Sequence, residues 1–219
     1  MTHQLQPRLD ILPPSQRALW PELQQIPAQF TLYGGTAIAL RLGHRQSVDF
    51  DFFAFENIEP DGLLDSLLLL RDARTLQKDR NTLTVLIGHD EPVKLSFFGV
   101  PRLRRLQPPD LADNRIGIAS LLDLAGCKAS VVQVRAEAKD YIDLDTILTG
   151  TSIDLARALG AACCIYGSSF NPQITLKALS FFDDGNLGQL PWEARERLAA
   201  AARSVDLDSL PTFESTPEP

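Results

Sequence analysis

The segment Ser47-Val48-Asp49-Phe50-Asp51-Phe52-Phe53 constrains the fold more than any other stretch of the chain. It alternates with period two, the repeat of a β-strand. Val48, Phe50 and Phe52 fall on one face; Ser47, Asp49 and Asp51 fall on the other. A slip of one residue would bury both acids and expose three large apolar side chains, so the register is strongly specified. The chain is therefore expected to build a sheet with an apolar face on a core and a second face bearing two carboxylates. At strand rise the two Asp Cα atoms lie about 6–7 Å apart. Both carboxylates can then converge on one hard cation or bridge two. Mg²⁺ takes oxygen ligands, often one or two carboxylates completed by substrate phosphates.

Taken alone, a D-x-D is more often a half-exposed strand with its acids in water. Two features favour a site. Strands are depleted in Asp, yet two stand here among Phe and Val. In addition, Gly34-Gly35 closes the run Phe30-Thr31-Leu32-Tyr33 and opens a helix-forming run, Thr36–Leu42, that Gly43 ends. A glycine turn at a helix start presents backbone N–H groups to an anion and lets a phosphate approach closely. Thr36 adds a hydroxyl. A phosphate cradle at one strand end, facing a divalent-metal site on the next strand, suits nucleotidyl transfer.

Around this segment, Gln16–Gln25 reads as a helix with Ser15 as N-cap and a kink at Pro21. Asp61–Leu70 reads as a helix, and Leu83–Ile87 and Val93–Phe98 as strands. After Ser120, a capping-box-like start with Asp123, the character becomes helical: Leu121–Val134, Ala138–Leu148, Asp154–Tyr166, Gln173–Phe182 and Trp192–Ala202. Strands early and helices late give an α+β class. The expected division is an α/β core over residues 1–119, a helical region packed on it over 120–203, and an acidic, Pro-containing, disordered tail over 204–219.

The run from Leu32 to Phe53 resembles the signature of the AbiEii/AbiGii-type nucleotidyltransferase toxins, within the polymerase-β-like nucleotidyltransferase superfamily. Val93–Phe98 resembles that family's next strand. Asp123-Leu124-Ala125, Lys128, Arg135, Lys139–Leu144 and Leu176–Asp184 resemble its later motifs, so the likeness spans roughly residues 30–184. It implies a polymerase-β-like core of a small mixed sheet with flanking helices. It also implies an enzyme that moves a nucleoside monophosphate from an NTP to an acceptor hydroxyl. Gly34, Gly35 and Thr36 would hold the triphosphate, and Asp49 and Asp51 would bind Mg²⁺ or Mn²⁺ and serve catalysis. Ser47 would lie near the phosphates, and Lys128 would neutralise them. Asp140 would stand at the site rim as base or support, and Asp143 would hold the helix pair. Related toxins imply an RNA acceptor such as tRNA and a cognate antitoxin partner. The pattern departs at Ser96, where polymerase-β-like enzymes usually carry a third carboxylate. Three readings stay open there: Asp140 is the substitute, one metal suffices, or catalysis is weak. A non-catalytic nucleotide-binding or interaction module on the same fold is the alternative, with nucleotidylation of a protein or small molecule a weaker third.

Other residues carry less. Arg45, just before the acidic strand, is a candidate to pair a carboxylate or reach a phosphate. Lys128 and Arg135 are seven apart and expected on one helix face. Asp143 reads equally as a structural partner of Arg135 or Lys139. Arg102, Arg104 and Arg105, and separately Arg71, Arg74, Lys78 and Arg80, read either as RNA-phosphate contacts or as ordinary surface charge.

Charge narrows the class further. The 219 residues carry a formal net charge of −7, which argues against a strongly basic nucleic-acid binder. Part of that excess sits in the tail, where Asp206, Asp208, Glu214 and Glu218 have no Lys or Arg beside them. His3, His44 and His89 lack ligand spacing, so zinc is not expected. No P-loop or G-x-S-x-G occurs. Three cysteines, an odd number without C-x-x-C, favour a reducing compartment. No secretory leader or bilayer span is read, so a cytoplasmic protein without membrane contact is expected.

Overall fold

A computed structural model describes residues 4–215. Residues 1–3, with His3, and 216–219, with Glu218, lie outside the described part. Two compact units are formed. The chain through Leu103, together with Pro108–Ala119, makes the first; Arg104–Gln107, together with the chain from Ser120 onward, makes the second.

Among the described residues, the first unit is built on seven strands: β1 Thr31–Tyr33, β2 Asp49–Ala54, β3 Arg74–Asp79, β4 Thr82–Ile87, β5 Val93–Gly99, β6 Asp110–Leu111 and β7 Gly117–Ile118. Their order across the sheet is β3-β4-β5-β2-β1-β7-β6. β2 runs parallel to β5, and β1 to β7; the other pairs are antiparallel. Three α-helices accompany the sheet, α1 Pro14–Leu19, α2 Gly34–Leu42 and α3 Pro60–Ser66.

Period-two patterning decides β2. Phe50, Phe52 and Ala54 are fully buried while Asp49, Asp51 and Phe53 are half-buried. Phe52 stacks on Phe97 of β5, and Phe97 meets Phe30 edge-on. Each such ring contributes about 2–3 kcal/mol of apolar burial, so exchanging the two faces of β2 is strongly disfavoured. Val48 does not join them. It precedes the strand and is 63% exposed, because β2 gains its ladder partner on β5 only from Asp49 onward.

The N-terminal helix also differs from expectation. It starts at Pro14, with Ser15 inside its first turn and no side-chain cap. Proline fits a first helical position because its missing N–H would have no partner there. From Trp20 the chain tightens into a 3₁₀ turn through Gln25, with Pro21 near its start. The segment after Asp61 likewise ends as α3 at Ser66, followed by a 3₁₀ turn over Leu68–Leu70. β3 is an exposed edge strand with a register shift between Thr75 and Gln77. Its Arg, Gln, Lys and Asp residues make a poor template for a further strand.

The second unit holds five α-helices among the described residues: α4 Leu121–Val131, α5 Ala138–Gly150, α6 Leu155–Tyr166, α7 Pro172–Ala178 and α8 Trp192–Ser204. Ser120 caps α4, its Oγ accepting from the Asp123 N–H at 3.0 Å and donating to Asp123 Oδ2 at 2.6 Å. Asp123 also accepts the N–H groups of Leu106 and Gln107 at 2.8 and 3.1 Å, which fixes that short segment to this unit. Gly126 lets α4 approach α6; a Cβ there would stand 3.0 Å from the Ala162 nitrogen. Asp154 and Asn171 cap α6 and α7. No single helix among the described residues is long and apolar enough to cross a membrane.

The acidic tail, expected to be disordered from residue 204, instead has definite structure as far as it is described. A 3₁₀ turn spans Leu207–Ser209. Beyond it, the Pro211 carbonyl fills the space that a Cβ on Gly160 would need, and the Arg157 guanidinium sits 5.7 Å from the centre of the Phe213 ring. Apolar and aromatic residues spaced among the acids give the tail this seat on α6.

Candidate active site

The β1–β2 register sets Tyr33 opposite Asp51. The next residue, Gly34, turns directly into α2 with φ +74°, in the left-handed region that favours glycine. A Cβ on Gly34 would stand 2.7 Å from Asp51 Oδ2. The carboxylate therefore lies against the bare glycine backbone at the start of the helix. Gly35 and Thr36 complete the first turn of α2. Thr36 is buried, and its hydroxyl donates to the Asp49 carbonyl, tying the helix to the acidic strand.

Asp49 and Asp51 share a face, as the alternating burial of β2 requires. β5 runs beside them with Lys94 aligned to Asp49 and Ser96 to Asp51. Lys94 Nζ lies 2.9 Å from Asp49 Oδ2. Ser96 is buried and accepts a long 3.4 Å hydrogen bond from the Thr84 hydroxyl. Further along the same face, Phe53 stacks on Tyr33 at 4.8 Å and meets Phe98 edge-on at 5.5 Å, so the acid face ends in an aromatic wall. Ser47 is half-buried in the loop before β2. Arg45, in that loop, donates to the Gln46 carbonyl at 2.8 Å.

Arg41, which sequence reasoning passed over, leaves the other side of α2. It donates to the Ile118 and Ala119 carbonyls and pairs with Asp110 at 2.8 Å, binding α2 to β6 and β7. The acceptors it satisfies are distant in sequence, so only a helix-former's pattern is visible around it.

The second unit carries Lys128 and Asp140, and it brings them together. Lys128 Nζ lies 2.6 Å from Asp140 Oδ1 and 2.7 Å from Asp143 Oδ2, with both carboxylates fully buried. Arg135 adds a two-pronged contact to Asp140 at 2.7 and 3.1 Å. The expected common helix face of Lys128 and Arg135 is not how they meet. α4 stops at Val131, and the turn that follows folds Arg135 back onto the Asp140 carboxylate. Asp143 takes Lys128 as an ion-pair partner, which its sequence neighbourhood did not suggest, and Lys139 pairs with Glu137. Burial raises the Asp140 pKa, but the Arg135 hydrogen bond and the Lys128 charge outweigh it and hold the carboxyl below its usual range.

Among the described residues no three His, Cys, Asp or Glu side chains cluster as a metal site. The donor set at β2 is thus two carboxylates beside a helix start. It fits Mg²⁺ or Mn²⁺, which complete their shells with water and substrate phosphate oxygens, and does not fit a caged structural ion.

Residues 17–218 match the family model described as nucleotidyl transferase AbiEii toxin, type IV toxin–antitoxin system. The chain belongs to the AbiEii nucleotidyltransferase toxin family. A protein of unassigned function from Aquifex aeolicus is 33% identical over 163 residues, covering 71% of this chain and 74% of that one. Two solved structures share the fold at 18% identity. MenT4, a nucleotidyltransferase toxin from Mycobacterium tuberculosis, has a TM-score of 0.61 with 91% of this chain and 84% of that one covered. A protein from H. pylori described as a nucleotidyltransferase has a TM-score of 0.54, with 86% and 90% covered. The AbiEii assignment and the mixed sheet with its following helices agree with the fold and the enzyme class that the sequence resemblance implied. This family member is accordingly a nucleotidyltransferase.

Proposed function

We propose that the first unit carries out metal-assisted transfer of a nucleoside monophosphate from an NTP to an acceptor hydroxyl, with RNA such as tRNA as the acceptor. The observation that carries this reading is the Asp51 carboxylate lying against the Gly34 backbone. It joins an anion-binding helix start and a cation-binding acid pair within the reach of one triphosphate. A divalent cation held by Asp49 and Asp51 would supply positive charge to the phosphate oxygens and the incoming hydroxyl.

The chain's own residues do the positioning. The Gly34–Gly35 turn and the first N–H groups of α2 receive the outer phosphates. Thr36 holds the Asp49 main chain to α2, so the acid and the cradle move together. Ser47 and Arg45 line the approach from the loop before β2. The acceptor hydroxyl gives up its proton to solvent as its oxygen attacks the α-phosphorus, one O–P bond forms, and the bond to the β-phosphate breaks with loss of pyrophosphate. Lys128 and Asp140 act as supports in this reading. Each already has charged partners in a buried cluster, and a carboxyl held below its usual range is a weak base. A cognate antitoxin, as the family description implies, is the expected protein partner.

The test is transfer of labelled nucleotide from each NTP to total tRNA by wild type, Asp49→Ala and Asp51→Ala. Label on RNA with wild type alone is expected. Equal labelling by all three proteins would remove the acid pair from the mechanism, and label appearing on protein only would replace RNA as acceptor.

A further inference from the structure

The acid pair is accompanied by a cation that the chain supplies itself. Asp49 and Lys94 are aligned neighbours on the parallel strands β2 and β5, so their side chains leave the same face about 4.8 Å apart. The Lys94 ammonium closes that gap to 2.9 Å from Asp49 Oδ2. Two residues along, Ser96 stands beside Asp51, where a third carboxylate would complete a site for two divalent ions. The face thus sets a lysine ammonium directly on one member of the acid pair. Lys94 and Asp49 are 37% and 33% exposed, so the pair is wet, weakly held and open to exchange.

Resting on the reading of Asp49 and Asp51 as the cation site, we infer that Lys94 occupies a cation subsite on Asp49 and restricts the acid pair to a single divalent ion. In the nucleotide-free protein its ammonium balances Asp49. When a nucleotide–metal complex arrives, the ammonium leaves Asp49 for the phosphate oxygens, where its positive charge and three N–H donors stand in for a second metal. Lys94 is then a substrate-contacting residue. Ser96 is neutral for the same reason, since a third acid would call for another cation in a place that Lys94 already fills.

The experiment titrates Mn²⁺ against full-length wild type, Lys94→Met, Lys94→Gln and Lys94→Arg, reading free Mn²⁺ by electron paramagnetic resonance, with and without a non-hydrolysable NTP analogue. Asp49→Asn/Asp51→Asn serves as the metal-site control, and far-UV circular dichroism checks folding. Wild type is expected to bind one Mn²⁺ per chain. Both neutral variants should bind Mn²⁺ about tenfold tighter without nucleotide and bind the analogue about tenfold more weakly, the scale of one lost charge contact beside a multivalent ion. Lys94→Arg should stay close to wild type. Two Mn²⁺ on wild type, or unchanged Mn²⁺ and analogue affinities in both neutral variants, would overturn the inference while the metal-site reading stands. Binding equal in wild type and the double Asp variant, or none to any protein, would instead overturn that reading, and this inference with it.

Discussion

Two groups of charges in this molecule look alike in sequence and are opposites in structure. On β2, Asp49 and Asp51 are half-buried on an open sheet face, and Asp49 pairs with a half-exposed lysine. On α5, Asp140 and Asp143 are fully buried, and Lys128 and Arg135 satisfy Asp140 on both oxygens. The first group meets water, where an incoming ligand can exchange with what is there. The second is closed around its two carboxylates and Lys128, with only the Arg135 side chain reaching solvent. Removing one member of a buried cluster strands its partners, whereas removing a half-buried acid that water reaches strands little. Activity should therefore depend on the first group and stability on the second.

The sharpest way to break that contrast is to mutate each group and measure both properties. Asp49→Ala and Asp51→Ala should reduce nucleotide transfer by about a thousandfold or more, the scale of losing a metal's charge stabilisation, with a thermal midpoint close to wild type. Transfer surviving either change would dissolve the distinction. Lys128→Met should destabilise the protein by about 3–5 kcal/mol, because Asp140 and Asp143 lose their shared cation; urea unfolding measures it. A fully stable Lys128→Met protein with lost transfer would move Lys128 into the reactive group. Gly34→Ala tests the join between phosphate cradle and acid. The left-handed backbone and the clash with Asp51 should cost about 1–2 kcal/mol, and Mn²⁺ affinity should fall with it.

Acidity offers a finer probe. Asp140 is held below its ordinary value, so its contribution to stability is fully present above about pH 4 and lost as pH falls through its lower folded value. Thermal melts across that window should show wild type losing stability more steeply than Asp140→Asn. The smallest effect concerns Cys127, whose thiol burial pushes up to about 12. Native protein at pH 8 should label there with a disulfide reagent far more slowly than after unfolding.

The strand bearing the acids was legible because its alternation is local: Phe50 and Phe52 went inside, and the acids took the other face. The glycine turn was legible for the same reason. The features with no local signature depend on contacts between distant residues. Lys94 was visible only as part of a strand, since parallel pairing with Asp49 has no signature in either segment. β3 was hidden because all its residues are exposed and it read as a basic run. β6 and β7 are two residues each, shorter than any periodic signal. Arg135 was placed on a helix face that ends four residues too early for it, because the end of α4 carries no glycine or proline stop. The acids of the tail dominate its charge, while Pro211 and Phe213 determine where it lies.

The chain visits its two units alternately, entering the second at Arg104–Gln107 before returning to finish the first with Pro108–Ala119. β7, the last strand in chain order among the described residues, is the partner that covers one side of β1. Until residue 118 has left the ribosome, β1 and the glycine turn that follows it stand at a raw sheet margin able to pair with any passing strand. A fragment meant to isolate the sheet should therefore end after Ala119, since one cut at Leu103 would leave that margin permanently bare.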